Sequence, residues 1–372
     1  MSDETEVDRD DFSEASLTFS HSFKLSSSQN VGGKKSCSIR HLGLLSPSTI
    51  LAATDSQIVR GYDLGSASAS PSLEVKAGGL TGLVGEAGRL VISGEEAVKV
   101  YDPRADTASP VLTLSDRRAR HYSSLAVRAD LVVAGTEQIK DESFLLFWDL
   151  RQAGRLMGGY WETFNDDITS LSFKPGGDQS LLATGCSDGI VNILDLSESD
   201  ESEALLTSHN TQDSVAGVVW YSSSKTEDNL AIQTHTEAVQ LWRTEEATAR
   251  CVLTREAVCR GIRRSCPDYT YIVGLHPHKS EGLTMVAASR CESQPCVRLA
   301  RIRNKKVKPL SLLEGADSSS LVTSSLAVTD SCFATGNEAG ILSVWREEES
   351  DLAQHHQNKI QTKISKVRDK PY

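Results

Sequence analysis

Apolar and polar residues alternate in short runs along this chain, as in Val98-Lys99-Val100-Tyr101 and Ile190-Val191-Asn192-Ile193. A period of two predicts strands that bury one face or lie between packed sheets. The runs come in pairs. A short apolar strand ends in Gly or a polar turn, and a second strand ends in a bulky residue, often followed by Asp. Seven such units occupy residues 50–64, 89–104, 130–151, 180–196, 229–243, 283–302 and 332–346. Their anchors are Tyr62, Tyr101, Trp148, Leu194, Trp242, Leu299 and Trp345, spaced by 39, 47, 46, 48, 57 and 46 residues.

A repeat of roughly 40–45 residues with four short strands per unit is the signature of propeller blades, and the longer steps accommodate loop insertions. One unit cannot bury both faces of its sheet, so neighbours must stack around a ring. The predicted fold is all-β, a seven-bladed β-propeller closed by an N-terminal strand. Residues 17–25 (LTFSHSFKL) alternate well, whereas REEESDLAQHHQ after Trp345 has poor strand character. The N-terminal strand is therefore expected to supply the outer strand of the last blade. Three regions result: a disordered acidic N-terminus at 1–16, the propeller at 17–346, and a polar then basic tail at 347–372.

Trp148-Asp149, Ser187-Asp188-Gly189 and Ile193-Leu194-Asp195 resemble repeats of the WD-repeat family, and the resemblance covers about residues 40–346. It implies a non-enzymatic scaffold that mediates protein-protein interactions in an intracellular complex. Many WD repeats share a buried Asp–His–Ser/Thr–Trp hydrogen-bond network, from which this chain departs. Asp188 holds the hairpin-turn position of the fourth unit, but Leu194 stands in the Trp place and Phe164 in the His place. Trp345 is present in the last unit, with Ala339 where the turn Asp would be. His209 is expected in the loop before the fifth unit. These departures imply blades held by apolar packing.

Hydrophobic residues make up 39% of the 372 residues, enough for a sizeable core. No run of 18 apolar residues predicts a membrane span. The opening MSDETEVDRDDFSEAS is acidic and lacks the basic and apolar regions of a secretory signal, which predicts residence in the cytoplasm, the nucleus or both. A net charge of −11 disfavours broad nucleic-acid or membrane binding by the body of the protein. The eight cysteines read as reduced thiols.

No catalytic set, cofactor motif or metal site emerges. The glycine-rich stretch at 78–85 lacks the Lys-Ser/Thr pair of a phosphate loop and reads as the way into an inner strand. Cys259, Cys266, His276 and His278 are spaced too loosely for zinc, as are Cys291 and Cys296. Tyr101-Asp102-Pro103-Arg104 and Trp148-Asp149-Leu150-Arg151 close consecutive units. They resemble the W-D-x-R boxes of WD-repeat substrate receptors, which dock on the damage-specific DNA-binding adaptor of cullin ubiquitin ligases. An Asp two residues before an Arg can orient its planar fork. The plainer reading is a strand exit with a local salt bridge of little energetic consequence. Arg301, Arg303, Lys305, Lys306 and Lys308 form a basic patch, and Lys359, Lys363, Lys366 and Lys370 recur at helical spacing in the tail. Either could contact RNA, which makes an RNA- or ribosome-associated nuclear factor an alternative. A solvated strand face and a frayed tail are the plainer reading. The acidic stretch 198–203 reads as a solvated connection between blades.

Overall fold

A computed structural model describes residues 21–31, 37–65, 72–105, 109–117, 121–176, 180–222, 228–278, 282–291, 295–303, 305–314 and 320–348. The N-terminal residues 1–20 and the tail from 349 lie outside them, and with them the expectations of an acidic disordered start and a basic tail.

Strand β1 spans Phe23–Asn30. The first sequence unit forms β3 (Thr49–Thr54) and β4 (Ile58–Asp63), flanked by β2 (Ile39–Ser46) and β5 (Leu73–Lys76). The second forms β7 (Arg89–Gly94) and β8 (Val98–Tyr101), between β6 (Leu80–Glu86) and β9 (Leu112–Leu114). In the third, β11 (Leu131–Thr136) and β12 (Leu145–Asp149) lie between β10 (Tyr122–Arg128) and β13 (Leu156–Tyr160). In the fourth, β15 (Leu181–Cys186) and β16 (Ile190–Asp195) lie between β14 (Ile168–Phe173) and β17 (Leu205–Asn210). The fifth has β18 (Val215–Ser222), β19 (Asp228–Thr234), β20 (Val239–Arg243) and β21 (Cys251–Leu253). The sixth has β22 (Thr270–Pro277), β23 (Leu283–Ser289), β24 (Cys296–Arg303) and β25 (Lys306–Glu314). The last has β26 (Val322–Thr329), β27 (Cys332–Asn337) and β28 (Ile341–Glu347). Two short helices interrupt the strands, α1 (Glu201–Ala204) and α2 (Arg255–Gly261).

The first five groups are separate four-stranded antiparallel sheets. The sixth and last join through β1 into one eight-stranded sheet. There β1 runs antiparallel to β28, with Phe23 opposite Glu347 and Leu25 opposite Trp345. It touches β25 in parallel only at Phe23–Leu313 and Lys24–Glu314. This all-β arrangement of four-stranded sheets is consistent with a β-propeller. The strand near the N-terminus begins at Phe23 and continues to Asn30, later than the 17–25 expected from alternation; residues 17–20 lie outside the described residues.

The first strands of successive groups touch in order: β2 meets β6, then β10, β14, β18, β22 and β26 follow, and β26 meets β2 again. The core lies between neighbours. Val133 and Leu145 pack with Ile168, Leu182 and Leu194 of the next group, and Ile39, Ile50 and Ala52 pack with Ala334, Leu342 and Val344 of the last. A recurring hydroxyl link supports these contacts. The second residue of a first strand bonds the backbone carbonyl of the first residue of the next. Thr81 reaches Tyr122, Ser123 reaches Ile168 at 2.8 Å, Thr169 reaches Val215 at 2.7 Å, and Thr323 reaches Ile39. Each link gives a buried backbone acceptor a partner where apolar burial alone could not.

Close approach of β6 to β2 explains Gly85. A methyl group there would run into the backbone carbonyl of Leu44 and the Cα of Leu45. Backbone cannot step aside as a side chain can. Gly85→Ala is therefore expected to cost about 1–3 kcal/mol, read as a lower urea midpoint at unchanged slope.

The departures from the WD pattern are resolved in detail. Trp345 keeps one link of the network, donating its indole N–H to Thr335 Oγ1 at 3.0 Å. Trp242 donates instead to Gln240 Oε1 at 3.0 Å. The Trp148 indole N–H is buried with no partner among the described residues, and Tyr122 meets its ring edge-on at 6.0 Å. His209 corrects an expectation: it lies within β17, not in a loop. It is buried, with its ring 4.9 Å from that of Trp242.

Candidate functional site

The third strands of the first four groups leave the sheet in the same way. An Asp at the exit accepts the N–H of the residue two positions on: Asp63 from Gly65, Asp102 from Arg104, Asp149 from Arg151 and Asp195 from Ser197. Only in the second and third groups is that residue Arg, and there the side chain folds back as well. Arg104 donates through Nε to Asp102 Oδ1 and through Nη2 to Oδ2, both at 3.0 Å. Arg151 donates through Nε to Asp149 Oδ1 at 3.0 Å and through Nη2 to Oδ2 at 2.8 Å. The Arg104 and Arg151 side chains are 80% and 73% exposed, while that of Asp149 is 7% exposed. Each Asp is a seated anchor holding an arginine fork outward. The bidentate hydrogen bonds from Arg151 hold the Asp149 carboxyl at about 2, and those from Arg104 lower Asp102 in the same way. Both carboxylates are ionised at neutral pH.

The two forks are connected, which the sequence did not reveal. Arg89, at the start of β7, donates to Asp130 Oδ1 at 2.6 Å. Asp130 sits in the turn before β11, and its Oδ2 is 4.0 Å from Arg151 Nε. Arg89 also acts electrostatically on Asp102. Alternating charges thus run from Arg104 through Asp102, Arg89, Asp130 and Arg151 to Asp149 across two neighbouring groups.

An apolar groove of about 510 Å³ opens beside this line. Its walls include Leu131 and Leu156, which pair with Asp149 and Trp148 respectively. Met157 and Trp161 on its rim are 58% and 43% exposed. The opposite wall is the acidic stretch after β16, which does more than meet solvent. Tyr160 donates to the Glu198 carbonyl at 2.7 Å, and Glu201 accepts the N–H groups of Trp161 and Thr163 at 2.9 and 2.7 Å. These bonds tie the third group to the fourth and fix the groove's width.

The basic residues also come together. Arg301 and Arg303 lie on β24, Lys305 in the hairpin turn, and Lys306 and Lys308 on β25. Arg260 and Arg263, from α2 and its exit, face the same cleft and were missed in the sequence. The signal was the 57-residue step between Trp242 and Leu299, together with Thr254 as N-cap and Val258 and Ile262 four apart on one face. Among the described residues no group of three or more His, Cys, Asp or Glu could hold a metal. Cys266 and Cys291 lie 3.8 Å apart as thiols. No helix of the described residues is long and apolar enough to cross a membrane.

No protein-family model matches the chain. Several curated proteins do, among them two that match over about a third of its length. An uncharacterized WD repeat-containing protein of Saccharomyces cerevisiae is 32% identical over 120 residues, covering 32% of this chain and 30% of that protein. An uncharacterized WD repeat-containing protein of Schizosaccharomyces pombe is 27% identical over 115 residues, covering 31% of this chain and 34% of that protein. These matches support a WD-repeat family. The chain spans about a third of the length of either WD-repeat relative. Among solved structures, the computationally designed Ika8 protein superposes with a TM-score of 0.55 at 14% identity, covering 86% of this chain and 98% of that one. That likeness concerns the fold alone.

Proposed function

We propose that the chain is a seven-bladed WD-repeat propeller that serves as a non-enzymatic platform for other proteins inside the cell. In this reading the eight-stranded sheet comprises two blades, and β1 is the outer strand of the last. The order of contacts from β2 round to β26 and back supports it. The stretches DESFLLFWDLR and CPDYTYIVGLHPHKSEGLTMV resemble WD repeat-containing protein 89, which favours a narrower kinship.

One observation carries the assignment of the binding surface: two seated, exposed arginine forks on adjacent blades, beside an apolar groove with a fixed width. Arg and Trp are the residues that dominate protein interfaces, and a charged rim around an apolar centre is their usual anatomy. Proximity labelling with the full chain tests it. Met157→Asp combined with Trp161→Ala is expected to remove a defined subset of labelled partners. An unchanged set would place binding elsewhere.

The forks favour a second, narrower reading, a substrate receptor docking on a cullin ubiquitin-ligase adaptor. Each guanidinium has five N–H donors, and the Asp uses only those on Nε and Nη2, so the outer edge remains for a partner carboxylate or carbonyl. Arg104→Ala with Arg151→Ala is expected to lower recovery of purified adaptor by about tenfold or more, the scale of losing charge-assisted hydrogen bonds. Unchanged recovery removes this reading and leaves the platform intact. The RNA- or ribosome-associated alternative rests on the basic residues of β24 and β25.

A further inference from the structure

The cleft between α2 and the β24–β25 hairpin has a volume of about 840 Å³, inside the roughly 300–1,000 Å³ range of small-molecule sites. Six cations line it: Arg260, Arg263, Arg301, Arg303, Lys306 and Lys308. No carboxylate lines it among the described residues. The nearby Glu347 is hydrogen-bonded to His21. The protein as a whole carries a net charge of −11, so this cleft reverses the local field.

The register makes the cluster more pointed. Arg301 is paired directly with Lys308, and Arg303 with Lys306. Residues two apart share a face, so all four cations project from one side of the hairpin, while Ile302 is buried on the other. Like charges directly opposite each other destabilise a sheet. Here two such pairs stand side by side. Arg301, Lys306 and Lys308 make no ion pair among the described residues, and Arg301 Nε is buried without a hydrogen-bond partner. The arrangement acts against stability, which is the mark of a site kept for a ligand.

The second wall is built to tolerate an anion. The C-terminal end of α2 would bring partial negative charge to the cleft. Buried Arg298 offsets it, donating through Nη1 to the carbonyls of Ile262 and Arg263. Gly261 lets the helix lie against β25, since a methyl there would overlap Val307. Among the described residues the cleft walls contain no Phe, Tyr or Trp, and the one aromatic ring, that of His21, is hydrogen-bonded to Glu347. A concave cluster of six cations suits dense charge on a small scaffold.

We propose that this cleft binds a compact ligand bearing two or more phosphoryl groups, held along the edge of β25 by the hairpin cations and by Arg260 and Arg263. The source of the phosphates, a free polyphosphate or a phosphorylated inositol, is distinguished by experiment. Calorimetric titration of the full chain with tripolyphosphate, inositol hexakisphosphate and orthophosphate is the test, with an oligouridine RNA as competitor. Either polyphosphate is expected to bind at least about tenfold tighter than orthophosphate, because several charged contacts act together. The stronger of the two identifies the source.

Lys308→Glu turns one repulsive pair into an attractive one. It is expected to weaken polyphosphate binding by about tenfold or more while raising Tm. Lys306→Ala with Lys308→Ala should also weaken binding, and Lys76→Ala on β5 should leave it unchanged. Equal binding by wild type and both cleft variants, or no binding of either polyphosphate, overturns the proposal. RNA that binds through these residues and resists displacement by polyphosphate also overturns it, in favour of a nucleic-acid partner. None of these outcomes bears on the forks or the apolar groove.

Discussion

Truncating Phe23 to alanine is expected to lower the unfolding free energy by about 3–5 kcal/mol, the usual cost of removing a buried aromatic ring. Phe23 is the first residue of β1 and is 2% exposed. Its ring meets that of Phe333 edge-on, with centroids 5.7 Å apart. Around it lie Leu313 of β25, Trp345 of β28 and Val286 of β23, so one side chain from near the N-terminus joins strands from two groups. The neighbouring Lys24 is 64% exposed and pairs with Glu348 only at the surface. Lys24→Ala should therefore change stability by no more than about 0.5 kcal/mol. Urea denaturation of the two variants beside wild type checks both values. A loss below about 1 kcal/mol for Phe23→Ala would show that β1 is an adornment and remove it as the outer strand of a last blade.

Acidification should destabilise the protein through His276. This residue lies on β22 with its Nε2 2.9 Å from Ser325 Oγ and its ring 6.0 Å from that of Phe333. Burial pushes its pKa down to about 4. In the unfolded chain an imidazole titrates near 6.5, so the unfolded state takes up the proton first as pH falls. Stability is complete above that value and is lost on the way down to the folded one. The linkage costs about 2 kcal/mol by pH 5 and about 3 kcal/mol by pH 4. His209 is lowered by burial too and acts in the same direction. His276→Gln, which retains a donor for Ser325, isolates the term, because every other titrating group is common to both proteins. The difference in stability between variant and wild type should shift by that amount from pH 7 to pH 4. Parallel pH profiles would mean that His276 is charged or solvated in the native state.

The hairpins were legible in the sequence because they obey short-range rules. Each of the seven units is a β-hairpin with the anchor on its second strand, and the alternation of Val98-Lys99-Val100-Tyr101 appears directly in β8. The Asp-x-Arg pairs were legible for the same reason, since their geometry needs only two intervening bonds along the chain. What joins them was not. Arg89 and Asp130 come from different units, and nothing local says that a turn of one unit meets the strand start of another. The basic patch was half visible. Arg301 to Lys308 form a run, but Arg260 and Arg263 lie some forty residues earlier, in a helix and its exit hidden in the longest inter-unit step. His209 was misplaced because its place in β17 shows only in a contact with another group, the Trp242 ring 4.9 Å away.

The pairing of Phe23 with Glu347 brings the first and last of the described strands side by side. A short covalent bridge between them would make the polypeptide a topological circle. New ends could then be opened in a rim connection of another group without breaking any of the hydroxyl links between inner strands. The order in which the strand groups are synthesised is thus separable from the order in which they stand.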